Sequence, residues 1–69
     1  MSSNDYISII RNKKGSFEVK YCDADVPKPR FKIGEKKSLA DAIKLANDWQ
    51  DGDGHRVEYG LYIPNPKGT

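Results

Sequence analysis

The sequence holds a single cysteine, a single histidine, and apolar runs that break after two or three residues. Each shortage excludes something. One cysteine cannot close a disulfide within the chain, and a lone thiol with no leader fits a reducing, cytoplasmic compartment. No segment approaches the ~20 apolar residues of a membrane span, nor the apolar stretch of a signal peptide. His55 has no Ser or Cys beside it, and Cys22 lies in a stretch whose spacing suggests no catalytic triad. Lys13-Lys14-Gly15 lacks the glycine pattern and the following helix of a phosphate loop. A chain of 69 residues has room for one domain and one thin core, with little depth for a catalytic pocket. The expectation is a non-enzymatic protein without metal or cofactor. It forms a single domain over 1–69, with a core over about 5–63 and flexible ends at 1–4 and 64–69.

What the chain does have is alternation. Tyr6-Ile-Ser-Ile-Ile-Arg11 is rich in β-branched residues and reads as a strand with Ile7 and Ile9 on one face. Asn12-Lys-Lys-Gly15 is hairpin chemistry, with Gly15 free to take a positive φ. In Ser16 to Cys22, Phe17, Val19 and Tyr21 face one way, and Glu18, Lys20 and Cys22 face the other, so one face is buried and one is wet. Pro27 and Pro29 mark a loop. Arg30 to Ile33 is a short third strand with Phe31 and Ile33 inward. Ser38 is a good N-cap with Asp41 three residues on. Leu39, Ala42, Ile43, Ala46 and Trp49 then form one helical stripe. Gly52 and Gly54 stand where a left-handed residue would end the helix. Arg56 to Ile63 alternates again and stops at Pro64.

The fold class is therefore α+β: a small single-layer antiparallel sheet packed on one helix, in the order β-β-β-α-β. The expected core is Ile7, Ile9, Phe17, Val19, Tyr21, Phe31, Ile33, Leu39, Ile43, Ala46, Trp49, Val57, Tyr59 and Leu61. The pairing partner of the last strand stays open, parallel or antiparallel to the first.

Charge is unevenly spread. Residues 1–37 hold nine Lys or Arg against five Asp or Glu, a balance of +4; residues 38–69 hold three against five, a balance of −2. Alternation puts Lys20, Arg30 and Lys32 on the face away from the helix, and Lys13 and Lys14 project from the hairpin. A basic sheet face is the electrostatic footprint of a polyanion partner, and a strand ribbon fits the major groove. The competing reading is a solvated face whose lysines prevent edge-to-edge pairing, with Glu18 weakening the field. Asp48, Asp51, Asp53 and His55 fall close together but lack the ligand offsets of a calcium loop, and read as turn chemistry. Tyr6 and Tyr62 fall on the outward parity, where they can stack bases, anchor a protein partner or simply cover the sheet.

The runs Lys14-Gly15-Ser16-Phe17 to Tyr21, Arg30-Phe31-Lys32-Ile33 and Ser38-Leu39-Ala40-Asp41-Ala42-Ile43 resemble the arm-type DNA-binding domain of phage and transposon integrases. The resemblance covers about residues 11–50. It implies a three-stranded sheet on a C-terminal helix, inserted into the major groove, with Lys20, Arg30 and Lys32 contacting DNA. That family has no counterpart of Arg56 to Ile63. Over the full length, with Ala40 to Ala46 and Val57 to Leu61 included, the chain also resembles small uncharacterised bacterial and phage domains of β-β-β-α-β order. Both resemblances imply a phage or mobile-element origin.

The expected function is a nucleic-acid-binding module using the outer sheet face, with Lys13, Lys14, Lys20, Arg30 and Lys32 as contacts. The alternative is a small protein-binding module, such as a phage- or mobile-element-encoded inhibitor or adaptor, using Tyr6 and Tyr62. Neither reading involves a membrane, and either suits a monomer or a homodimer.

Overall fold

A computed structural model describes residues 4–52 and 56–64. The chain runs β1 (Asp5–Arg11), β2 (Phe17–Asp23), β3 (Phe31–Lys36), α1 (Leu39–Asp51) and β4 (Leu61–Tyr62). The sheet order is β3-β2-β1-β4. The first three strands are antiparallel neighbours, and β4 joins β1 in parallel, Ile7 opposite Leu61 and Ser8 opposite Tyr62. β3 and β4 thus lie at opposite edges, and α1 carries the chain from one to the other across one face.

Local chemistry explains the elements. At the β1–β2 turn, Gly15 takes φ +88°, a conformation open to glycine at no steric cost. Asn12 organises the turn. Its side-chain oxygen accepts the N–H of Lys14 at 2.9 Å and of Ser16 at 3.0 Å. Ser38 caps α1, its Oγ accepting the Asp41 N–H at 3.1 Å. Gly52 ends the helix by donating to the Asp48 carbonyl at 2.9 Å. Its φ of −97° is not left-handed. With ψ −102° it is neither helical nor extended, so the left-handed glycine expected at the helix end is not formed at Gly52. Gly54 lies outside the described residues.

The core is Ile7, Ile9, Val19, Ala42, Ala46 and Val57, with Phe17, Tyr21, Ile33, Leu39, Ile43, Leu45, Trp49 and Leu61 packed around it. Ala42 and Ala46 are one helical turn apart and fully buried, so the helix backbone comes down close to the sheet. Two expected core residues are exposed. Phe31 is 49% exposed. It sits on the edge strand, so its ring stacks on Tyr21 (centroids 5.2 Å apart) and meets Trp49 (6.0 Å), with no strand beyond it. Tyr59 is 61% exposed. Gly60 at φ +75° breaks the alternation between Tyr59 and Leu61. The same break leaves β4 only two residues long, where alternation had suggested a strand over 56–63.

What replaces the missing ladder is a buried carboxylate. Asp5 is 2% exposed. Its side chain accepts the Tyr21 hydroxyl at 2.7 Å and the Glu58 N–H at 2.8 Å, and its backbone carbonyl accepts the Tyr59 N–H at 3.0 Å. Burial, and then the hydrogen bond to Asp5, push the Tyr21 phenol up to about 12. Gln50 Oε1 accepts the Val57 N–H at 3.0 Å, which ties the same segment to the helix.

β3 carries a bulge. Val19 pairs with Gly34 and Lys20 with Lys32, so Ile33 is one residue extra. A Cβ on Gly34 would come within 2.7 Å of Leu45 Cδ2. We expect Gly34→Ala to destabilise by about 1 kcal/mol, because Leu45 must leave its rotamer. In a Leu45→Ala background the same change should instead be neutral or stabilising by about 0.5 kcal/mol, from lost unfolded-state entropy. Denaturant melts of the four proteins check this; equal effects in both backgrounds would remove the Leu45 contact from the explanation.

Candidate nucleic-acid interface

Strand register arranges the outer face in rows. Ile10, Glu18 and Glu35 form one row; Ser8, Lys20 and Lys32 form the next, with Tyr62 beyond Ser8; Tyr6 and Cys22 form the third. The parity expected from alternation holds, but the face is not uniformly wet. Ser8 and Cys22 are each 3% exposed, lying opposite the rings of Tyr62 and Tyr6 in the neighbouring strands. Those rings meet edge to face at 6.0 Å. Ser8 Oγ and Cys22 Sγ share a hydrogen bond at 3.4 Å.

Lys20 and Lys32 are direct cross-strand partners, as a basic face requires. Each is nevertheless held by an acid: Lys20 by Glu18 at 3.1 Å, Lys32 by Glu35 at 2.9 Å. Asn12 Nδ2 donates to both carboxylates, at 2.9 Å and 3.2 Å. The Asn12 hydrogen bond, then Lys20, holds the Glu18 carboxyl below its ordinary range. Lys32, then Asn12, does the same for Glu35. Lys32 is raised in turn by Glu35. Arg30 lies before β3 and pairs with Asp23 at 3.6 Å. The sheet face is therefore charge-balanced.

Asn12→Ala is expected to cost about 1–2 kcal/mol, since two turn N–H groups and two carboxylates lose a partner. Glu18 and Glu35 should then titrate closer to ordinary glutamates. Their contribution is present above the ordinary carboxylate range and fades as pH falls through the lowered values. The variant should thus lose part of its acid resistance. Carboxyl NMR titration reads this directly, and unchanged Glu18 and Glu35 curves would contradict it.

Of the described cations outside every ion pair, Lys28 and Lys44 lie off the sheet and five others cluster at one end of it. β1 ends, β2 begins and β3 ends on the same side of the molecule, with Arg11 opposite Phe17 and Phe17 opposite Lys36. Lys13 and Lys14 occupy the turn, and Lys37 follows β3 directly. All five cations are exposed. Among the described residues, none of them makes an ion pair. The Glu18 and Glu35 charges are offset by Lys20 and Lys32, and Asp41 on the first helical turn subtracts one, leaving a local balance of +4 at this end. Lys13 and Lys14 are the two of these five that the sequence itself marks as candidate contacts. Arg11, Lys36 and Lys37 were visible only as members of a basic set, because nothing local in sequence says that residues 11 and 36 end neighbouring strands at one level.

The opposite end gathers Asp5, Asp23, Asp25 and Glu58, with Asp51 at the end of α1; Asp48 instead lines a hollow with Lys36, Asp41 and Lys44. Beside the acidic end, Tyr6, Ala24, Tyr59, Leu61 and Tyr62 line an open hollow of about 420 Å³. Among the described residues, no three His, Cys, Asp or Glu side chains converge as metal ligands. Asp53 and His55 lie outside that set. No described helix is long and apolar enough to cross a membrane. Compared with protein-family models, with curated proteins and with solved structures, the chain matches none.

Proposed function

We propose that this protein is a non-enzymatic nucleic-acid-binding module whose contact surface is the hairpin end of the sheet. The observation that supports this reading is the cluster of Arg11, Lys13, Lys14, Lys36 and Lys37, exposed and outside every ion pair of the described residues. An unpaired lysine can exchange its counterions for a phosphate without first breaking a salt bridge, which Lys20, Arg30 and Lys32 cannot do. The β1–β2 hairpin, tipped by Lys13 and Lys14, is narrow enough for a major groove about 12 Å wide. Phosphate contacts of this kind position a protein without reading sequence, so binding is expected to be weakly sequence-dependent.

The test is titration of duplex DNA across a range of salt. Four or five phosphate contacts give a log–log slope of about −4. A slope near zero would abandon the reading. In that case a protein partner at the hollow beside Tyr6, Tyr59 and Tyr62 becomes the better account, because exposed aromatic rings are the usual anchors of such contacts.

A further inference from the structure

The outer face carries a pattern that the nucleic-acid reading leaves unused. Its acidic row, Glu18 and Glu35, lies two residues along β2 and, across the Ile33 bulge, three along β3 from its basic row, Lys20 and Lys32. The level between them is that of Ile9, Val19 and Gly34, whose side chains or backbone belong to the helix side. Beside the acidic row stands Ile10, 44% exposed; beside the basic row lies Ser8, small and buried, flanked by Tyr62, 55% exposed. Among the described residues, no element of the chain covers this face.

We infer that the outer sheet face docks on the same face of a second copy, across a two-fold axis perpendicular to the strands at the level of Ile9 and Val19. That operation reverses strand direction and keeps each strand over its own counterpart. It lays each Glu–Lys pair of one copy over the reversed pair of the other, Glu18 facing the partner's Lys20 and Glu35 the partner's Lys32, so the pairs within each copy stay intact. It also sets Ile10 over the small residue Ser8 of the partner subunit. Sheet layers stand ~10 Å apart, within reach of facing Glu and Lys side chains, and twisted sheets pack at about −30°, which keeps the pairing closest near the axis. The same operation lays the basic end of one copy along the acidic end of the other. A parallel arrangement that lays β2 over the partner's β3 puts like charge on like charge, and one centred between β1 and β2 leaves all four charges without an opposite charge facing them. The antiparallel arrangement is therefore the one the charges favour.

Size sets the strength. The 7, 7, 6 and 2 residues of β1, β2, β3 and β4, at ~4.8 Å by ~3.3 Å each, make a face of about 350 Å² per copy, or about 700 Å² for the pair. That is well below the ~1,200–2,000 Å² of a standard interface, so the dimer is weak and transient. The inference stands apart from nucleic-acid binding, which uses the hairpin end.

Charge swapping tests it. Glu18→Lys with Glu35→Lys makes both rows basic; Lys20→Glu with Lys32→Glu makes both acidic. By sedimentation equilibrium up to about 1 mM, the wild-type chain should dimerise, and each variant alone should stay monomeric. Mixing the two variants should restore association at least tenfold tighter than either shows alone, and added salt should weaken it. A wild-type monomer at about 1 mM, variants that still dimerise alone, or a mixture that stays monomeric each overturns the proposal. If either variant loses its circular dichroism spectrum, Ile10→Glu replaces it. The fold tolerates a charge at that exposed position, and association should fall at least tenfold; undiminished association there also overturns the proposal.

Discussion

Replacing Asp5 with alanine should destabilise this domain by about 3 kcal/mol, the largest effect expected of any single side chain outside the apolar core. The carboxylate is buried and accepts the Tyr21 hydroxyl and the Glu58 N–H. Truncation leaves two part-buried donors without this acceptor. Each charge-assisted bond contributes roughly 1.5–3 kcal/mol, and the sum is offset in part because a costly buried charge disappears as well. A domain of this length has only roughly 3–10 kcal/mol of stability in total. The melting temperature should therefore fall by roughly 15–20 °C. Asp5→Asn should fall in between, because an amide oxygen still accepts one of the two bonds.

A local signature separates this account from general damage. Asp5 anchors residues 58–60, and Ile7 N–H donates to the Gly60 carbonyl at 3.0 Å. In the variant, hydrogen exchange at Ile7 should accelerate far more than at Val19. The Tyr21 phenol should ionise below the wild-type value of about 12, because a bond that favours its neutral form is gone. A melting temperature within about 2 °C of wild type would show that Asp5 does not pin β4.

The second large effect concerns charge placement. Two double variants each remove two positive charges: Lys13→Gln with Lys14→Gln at the hairpin tip, and Lys20→Gln with Lys32→Gln on the sheet face. The net charge of both falls from +2 to 0, so any difference comes from location. At ~0.1 M salt each phosphate contact is worth nearly a factor of ten through counterion release. The tip variant should lose about fiftyfold in affinity for duplex DNA, and its salt slope should shrink by about 2. The face variant should lose only a few-fold, because Lys20 and Lys32 are already neutralised by Glu18 and Glu35. Equal losses would mean that net charge alone drives binding; a larger loss from the face variant would return the contact surface to the outer sheet.

How much of this could be read before the fold was known follows from the range over which each signal acts. Alternation in Phe17 to Cys22, the cap at Ser38 and the stripe from Leu39 to Trp49 are local, and they match the structure in parity, although Cys22, expected on the wet face, is buried. The order β-β-β-α-β and the core around Ile7, Ile9, Val19 and Ala46 follow from those signals. The misplacements at Phe31 and Tyr59 have non-local causes. Alternation says which way a side chain points, but not whether another strand lies beyond it, and Phe31 is at an edge. Nor does alternation anticipate Gly60 at positive φ, which ends the pattern that seemed to run from Arg56 to Ile63.

The candidate site divides in the same way. The sequence by itself determined that Lys20 and Lys32 share the outer parity with Glu18, because period two depends only on the pleat. It determined that Lys13 and Lys14 cap a hairpin, because Asn and Gly specify the turn. Only the tertiary structure decided that Glu35 reaches Lys32 across the Ile33 bulge, and that Asn12 ties both acids to the turn. It alone brought Arg11, Lys36 and Lys37 to the level of the hairpin tip. Such facts depend on register between strands, and register is set by how the whole sheet buries its apolar face against the helix.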